Sequence, residues 1–141
     1  MKLEPQKINL RWSDLDPNFH LKHSSFYDLA SQYRMEILEH YGVTLAIMEA
    51  QKFAPILLRE ECIFLREIRY TDKVYINLII NEVNEDGSKW QILHEFKDEK
   101  GKTKAKLTVD IAWFDIAKRK FAKPLPDVVS RAYLKMLEEL S

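Results

Sequence analysis

The side chains of this chain that could do chemistry crowd into one short stretch, Asp14-Leu-Asp16-Pro-Asn-Phe-His20-Leu-Lys-His23-Ser24-Ser25. A carboxylate here can attack a carbonyl carbon as a nucleophile or activate water as a general base. The stretch has no hydrophobic period, contains Pro17, and runs straight into the best helical stripe in the sequence. It therefore reads as a loop entering a helix, where the first backbone N–H groups are unpaired and carry partial positive charge. Donors placed that way polarise a carbonyl and stabilise the oxyanion formed on attack, so one segment can supply both halves of an acyl-transfer site. Simpler readings stand beside this one. Asp16 ahead of Pro17-Asn18 also suits a turn former, and Asp14 suits bracing of the loop. His20 suits a structural hydrogen bond first and an active-site contact second. Asp14, Asp16, His20 and His23 spell a D-x-D…H-x-x-H set, but a loop crossing a proline does not hold four ligands in fixed geometry, so no metal is expected.

Several elements must position that stretch. Ile8, Leu10 and Trp12 alternate with polar neighbours over residues 7 to 13, the pattern of a half-buried strand. After the loop, Phe26, Leu29, Ala30, Tyr33 and Ile37 share a helical stripe; Ser25 and Asp28 fit a capping box, and Gly42 fits the C-terminal stop. A shorter helix over Thr44 to Gln51 can follow. From Phe53 the period changes to two, and residues 55 to 68 read as one long strand. The segment DKVYINLIINEV is a second strand, closed by the turn signal of residues 84 to 88. Lys89 to Lys97 forms a third with Trp90, Ile92, His94 and Phe96 on one face, which makes His94 a core histidine. His40, near the end of its helix, suits the helix dipole. Residues 103 to 116 form the next strand. A basic link, KRKFAKPLP, leads to an amphipathic helix that Asp127 can cap. The order β-α-(α)-β-β-β-β-α is one central helix and an antiparallel meander that must bury a face against it, an α+β arrangement.

Composition narrows the function. The chain has 141 residues, the length of one ordinary domain, with a hydrophobic fraction of 46%. Lys+Arg and Asp+Glu are both 22, for a formal net charge of zero, which argues against a general nucleic-acid or anionic-membrane binder. Three glycines cannot build a Gly-rich phosphate loop, and Cys62 alone excludes a disulfide framework and cysteine-rich zinc sites. Without an apolar leader or a long apolar run, a cytoplasmic protein is expected.

The stretch Asp14–Ser25 resembles the signature of the hotdog-fold thioesterases of the 4-hydroxybenzoyl-CoA thioesterase type, D-x-D-x-x-G-H-V-N-N-x-x-Y at the start of the central helix. Asp14, Asp16, His20, Leu21 and Phe26 fall at matching or similar positions. The element order, the length and the late Pro124-Leu-Pro126 agree, so the resemblance spans nearly the whole chain. It implies a hotdog fold, an antiparallel five-stranded sheet wrapped around a central helix with a C-terminal helix, as a single domain over residues 1–141. It also implies Asp16 as the catalytic carboxylate and a backbone N–H near the helix start, at His23 with Ser24 beside it, as the group that polarises the thioester. Phe19 stands where the family has glycine and Lys22-His23 where it has an Asn pair; a bulky Phe19 would narrow the pocket or change the path of the loop.

The expectation that follows is an acyl-CoA thioesterase, with no cofactor beyond the coenzyme A of its substrate. Phe19, His20, Phe26, Tyr27, Arg59 and Arg66 are the candidate substrate contacts. Lys100, Lys102, Lys104, Lys106, Lys118, Arg119, Lys120, Lys123 and Arg69 are further candidates for the coenzyme A phosphates. Alternatives are a non-catalytic module that binds acyl-CoA or an acyl carrier, motivated by Phe19, and a hotdog hydratase or dehydratase using His20 and Asp16. A short meander leaves an exposed sheet edge, which predicts a homodimer or a dimer of dimers.

Overall fold

The computed structural model describes residues 4–140. The apolar stripe forms α1, His23–His40, and buries Phe26, Ala30, Tyr33 and Ile37. Tyr41 N–H bonds back to the Ile37 and Leu38 carbonyls, and Gly42 follows at φ +90°, a left-handed stop that only glycine adopts without strain. The start differs from the expected capping box. Lys22 is the N-cap and makes no side-chain cap bond. Ser25 lies inside the first turn, where its hydroxyl donates to Asp14 Oδ1 at 3.3 Å. The short helix α2, Leu45–Gln51, is capped by Thr44, whose Oγ1 accepts from Ile47 N–H at 3.1 Å.

The strands are β1 Gln6–Ile8, β2 Phe53–Phe64, β3 Val74–Ile76, β4 Ile79–Val83, β5 Lys89–Asp98, β6 Thr103–Asp115 and β7 Lys120–Phe121. They form one antiparallel sheet in the order β1-β3-β5-β6-β2, with β4 also on β5 and β7 on β6. Alternation decides the faces: Trp90, Ile92, His94 and Phe96 of β5 and Ala105, Leu107, Val109 and Ile111 of β6 are buried. Contacts of Phe26 with Phe96 (5.2 Å between ring centroids) and Tyr33 with His94 (6.0 Å) show that this face wraps α1. The expected hotdog arrangement is present. The last helix, α3, Asp127–Leu140, buries Val129, Ala132, Met136 and Leu140 and is tied to the end of α1 by Tyr41 Oη donating to Glu139 at 2.5 Å.

The structure corrects five further sequence expectations, the first being the strand expected over residues 55 to 68, which starts at Phe53 and ends at Phe64. The strand expected through residue 13 stops at Ile8; Trp12 opens a 3₁₀ turn, Trp12–Asp14, and is 70% exposed. The cause is local, because the Asp14 carboxylate accepts from both the backbone N–H and the guanidinium of Arg11 and so curls the chain. The strand DKVYINLIINEV is broken at Asn77-Leu78. There Asn77 exchanges side-chain bonds with Glu95, and its carbonyl faces His94 Nδ1 at 2.8 Å. The link after β6 carries the short β7, so the sheet has five main lanes and an added strand. Asp127 sits within the first turn of α3 and not ahead of it as a cap.

β2 lies at the end of the sheet and pairs only with β6, so its other edge is unpaired among the described residues. Leu57, Leu58, Ile63 and Phe64 along it, with Leu65 just beyond, are all exposed.

Candidate active site

Asp14 anchors the loop ahead of α1. It is buried, receives two bonds from the Arg11 guanidinium at 2.9 and 3.2 Å, and accepts from Ser25 Oγ. Its carbonyl also takes the Lys22 N–H at 2.9 Å, which fastens the helix entry to it. Burial works to raise its pKa, but the Arg11 bonds and charge, with the Ser25 hydroxyl, outweigh burial and hold it below the usual carboxylate range. A carboxylate committed in this way braces the loop.

Asp16 organises the turn itself. Its Oδ1 accepts from Asn18 N–H at 2.8 Å and His20 N–H at 3.1 Å, while its N–H donates to the His20 carbonyl at 2.8 Å. The turn-forming role is therefore real, and it leaves Oδ2 without a hydrogen-bond partner among the described residues. Phe19 adopts φ +64°, the left-handed conformation that a glycine in its place would take freely. Its ring is 58% exposed and leans on Trp12 at 5.8 Å, which in turn meets Tyr70. The expected narrowing of the pocket does not occur, because the backbone keeps a glycine-like path and the ring swings outward. Farther along, the loop is pinned to the segment after β2. Leu21 N–H donates to the Ile68 carbonyl at 2.7 Å, His20 bridges Arg69, and His20 Nε2 lies 3.2 Å from Glu67 Oε2.

These constraints leave an open cavity of about 410 Å³ with Asp16, His20, His23, Phe26, Phe64 and Arg66 on its walls. Its apolar floor is Phe26, set edge-on to Phe64 and Phe96 at 5.1 and 5.2 Å. His23 is the first residue of α1, and neither its N–H nor that of Ser24 donates a hydrogen bond among the described residues. Asp16, whose Oδ2 has no hydrogen-bond partner among the described residues, and His23, at the helix terminus whose first amides are free, thus line one cavity.

The remaining candidates scatter. Ser24 is exposed and off the cavity wall; Tyr27 is half-buried against the core, and Phe19 faces solvent. Arg59 lies on β2 in an exposed pair with Glu61 at 2.9 Å, away from the cavity. Leu65, Glu67 and Ile68 line it although the sequence did not mark them; they come after β2 and arrive through the Leu21–Ile68 pairing, a long-range contact with no local signal. No helix among the described residues is long and apolar enough to cross a membrane.

The pattern of the thioesterase-like superfamily matches residues 10–133. The chain belongs to that superfamily. Solved structures share its fold. A hypothetical protein of Staphylococcus aureus, SAV2348, determined in complex with CoA, superposes with a TM-score of 0.88 at 15% identity over 100% of this chain and 89% of that one. The 1,4-dihydroxy-2-naphthoyl-CoA thioesterase Slr0204 of Synechocystis gives 0.80 at 17% identity, over 92% and 94%. A DHNA-CoA thioesterase of Staphylococcus aureus gives 0.79 at 18%, over 94% and 89%. No curated protein matches the chain. For a thioesterase-like chain, the hotdog helix and its entry loop are where the Asp16 cavity has formed.

Proposed function

We propose that this chain hydrolyses acyl-CoA thioesters. The observation that carries the reading is the convergence of Asp16 and the first turn of α1 on one cavity. The thioester carbonyl oxygen points at the free N–H groups of His23 and Ser24. Asp16 either attacks the carbonyl carbon directly or removes a proton from a water that attacks it. The tetrahedral oxyanion then reforms the carbonyl, the C–S bond breaks, and coenzyme A leaves as a thiol after taking up a proton. In the nucleophilic route water afterwards cleaves the acyl–Asp16 anhydride.

Arg66, on the cavity wall, supports placement of the coenzyme A phosphates beside it. Lys123, by contrast, is paired with Asp86 at 3.0 Å. The unpaired, apolar edge of β2 supports a homodimer in which two copies of β2 run antiparallel. The Phe64 end of one, which borders the Asp16 cavity, then lies beside the Phe53 end of the other.

The test is a panel of acyl-CoAs with a free-thiol readout. Asp16→Asn is expected to lower turnover by about 10²–10⁴-fold, the usual yield of a positioned base. Unchanged turnover in that variant would remove Asp16 from its assigned role.

A further inference from the structure

Trp12, Phe19 and Tyr70 form a cluster of aromatic rings on the surface, 70%, 58% and 49% exposed. Trp12 stands in the middle. The Phe19 ring lies 5.8 Å from it, tilted by 48°, and the Tyr70 ring 6.5 Å from it, nearly edge-on at 77°. Single apolar side chains in water are ordinary, but clustered ones with a polar rim mark a binding surface. Each ring is also fixed at its base. Trp12 opens the 3₁₀ turn that the Arg11–Asp14 bonds close. Phe19 belongs to the Asp16 turn, its N–H donating to the Asp16 carbonyl at 3.0 Å. Tyr70 follows Arg69, whose backbone bridges His20 and whose N–H donates to Asp72 at 2.8 Å.

The surroundings of the cluster identify its occupant. Phe19 comes so soon after Asp16 that at most ~11 Å separates their Cα atoms. Along the segment after β2, Phe64 and Arg66 line the Asp16 cavity, Arg69 comes next, and Tyr70 joins the rings. Both guanidinium groups are exposed and have no hydrogen bond or ion pair among the described residues. The acid between them, Glu67, is taken up by His20 at 3.2 Å. The segment therefore runs from the cavity, past two uncommitted cations, to the rings. Coenzyme A has its parts in the same order: thioester, flexible arm, phosphates and purine base. A purine stacks on aromatic side chains without hydrogen-bond readout, and free guanidinium groups suit phosphate oxygens.

The geometry points to a nucleobase platform: the adenine of coenzyme A stacks on Trp12 between Phe19 and Tyr70, and its phosphates are held by Arg66 and Arg69. This rests on the acyl-CoA reading and places the nucleotide half of the substrate, the half that an acyl carrier protein lacks. Two arms of one experiment separate the two ideas. In the first, ADP is titrated into the native protein and followed by tryptophan fluorescence and calorimetry. Trp12 is exposed while Trp90 and Trp113 are buried, so stacking is read as saturable quenching of the emission that acrylamide reaches. Pyrophosphate, which lacks the base, is expected to leave that emission unchanged. By calorimetry, Trp12→Leu is expected to weaken ADP binding about tenfold, and Trp12→Tyr to keep most of the affinity. The second arm compares kcat/KM for an acyl-CoA with that for the same acyl group on pantetheine, which carries neither phosphate nor base. Trp12→Leu should lower the acyl-CoA value about tenfold, through KM, and leave the acyl-pantetheine value unchanged, which also shows that the variant is folded. Absence of quenching by ADP, equal ADP affinity in native protein and Trp12→Leu, the same change for both thioesters, or an oligomer that Trp12→Leu disperses would overturn the proposal. Quenching by ADP with no hydrolysis of any acyl-CoA would instead sink the hydrolase reading and leave the rings as a nucleotide site.

Discussion

His94 should make the stability of this protein sensitive to mild acid. It is wholly buried, with the Tyr33 ring, the Asn77 carbonyl and the Arg34 guanidinium around it and Glu60 beyond Arg34. Burial lowers its pKa most, the Asn77 carbonyl opposes this, and the Arg34 charge lowers it further, to about 3. An unfolded histidine titrates near ~6.5. At pH 7 both states are neutral and the group contributes no pH dependence. As pH falls below the unfolded value, the unfolded chain takes a proton that the native state refuses, so stability falls with pH. The slope approaches ~1.4 kcal/mol per pH unit and continues down to the folded pKa, amounting to about 2 kcal/mol by pH 5. The assay is urea unfolding from pH 7 to 5 at fixed protein concentration, native protein against His94→Gln. The variant removes the titrating ring, so its stability should decline less by about 2 kcal/mol over that interval. Asp14, Asp86 and Asp98, all held below the usual carboxylate range, stay ionised throughout the interval and do not blur the difference. NMR of the ring nitrogens gives an independent reading: the Nδ1–H tautomer should persist to pH 5. Parallel stability profiles, or a His94 ring that charges near pH 6, would refute the reasoning.

Asp14 behaves with the opposite window. Its folded pKa is depressed, so its contribution is present above pH ~4 and is lost as pH falls through the folded value. Asp14→Asn should cost about 1–3 kcal/mol at pH 7, and that gap should shrink toward pH 3, as measured by urea midpoints. At Phe19, the left-handed turn predicts that Phe19→Gly is more stable than Phe19→Ala by about 1 kcal/mol, since both lose the ring but only alanine keeps the strain. Equal melting temperatures for the two would show that the turn relaxes. Light scattering at micromolar concentration should give at least twice the protomer mass; a monomer would exclude pairing through the free edge of β2.

Much of the architecture was legible because it is written in period. The stripe of Phe26, Ala30, Tyr33 and Ile37 and the alternation of Trp90, Ile92, His94 and Phe96 each have one way to bury themselves, and they do so against each other. The chemistry-bearing loop was legible for a different reason: Asp14, Asp16 and His20 act within a few residues of one another. Legibility ended where a particular polar contact outweighs the hydrophobic pattern. The N-terminal alternation of Ile8, Leu10 and Trp12 was outweighed by the Arg11–Asp14 bonds, which turn the chain before the pattern is complete. The break at Asn77 depends on Glu95 and His94 in the facing strand. Ser25, read as a cap, is instead a donor to Asp14 because the helix begins at His23.

From residue order alone came the wrapped helix, the identity of the acidic loop and the buried place of His94, since each follows from local spacing. Tertiary contact was needed to bring Phe64 and Arg66 to the Asp16 cavity, to turn Phe19 outward, and to lower Arg34 into an apolar cavity against His94. Those outcomes depend on which distant groups meet across the sheet, and burial, not sequence neighbourhood, decides what each polar atom must find there.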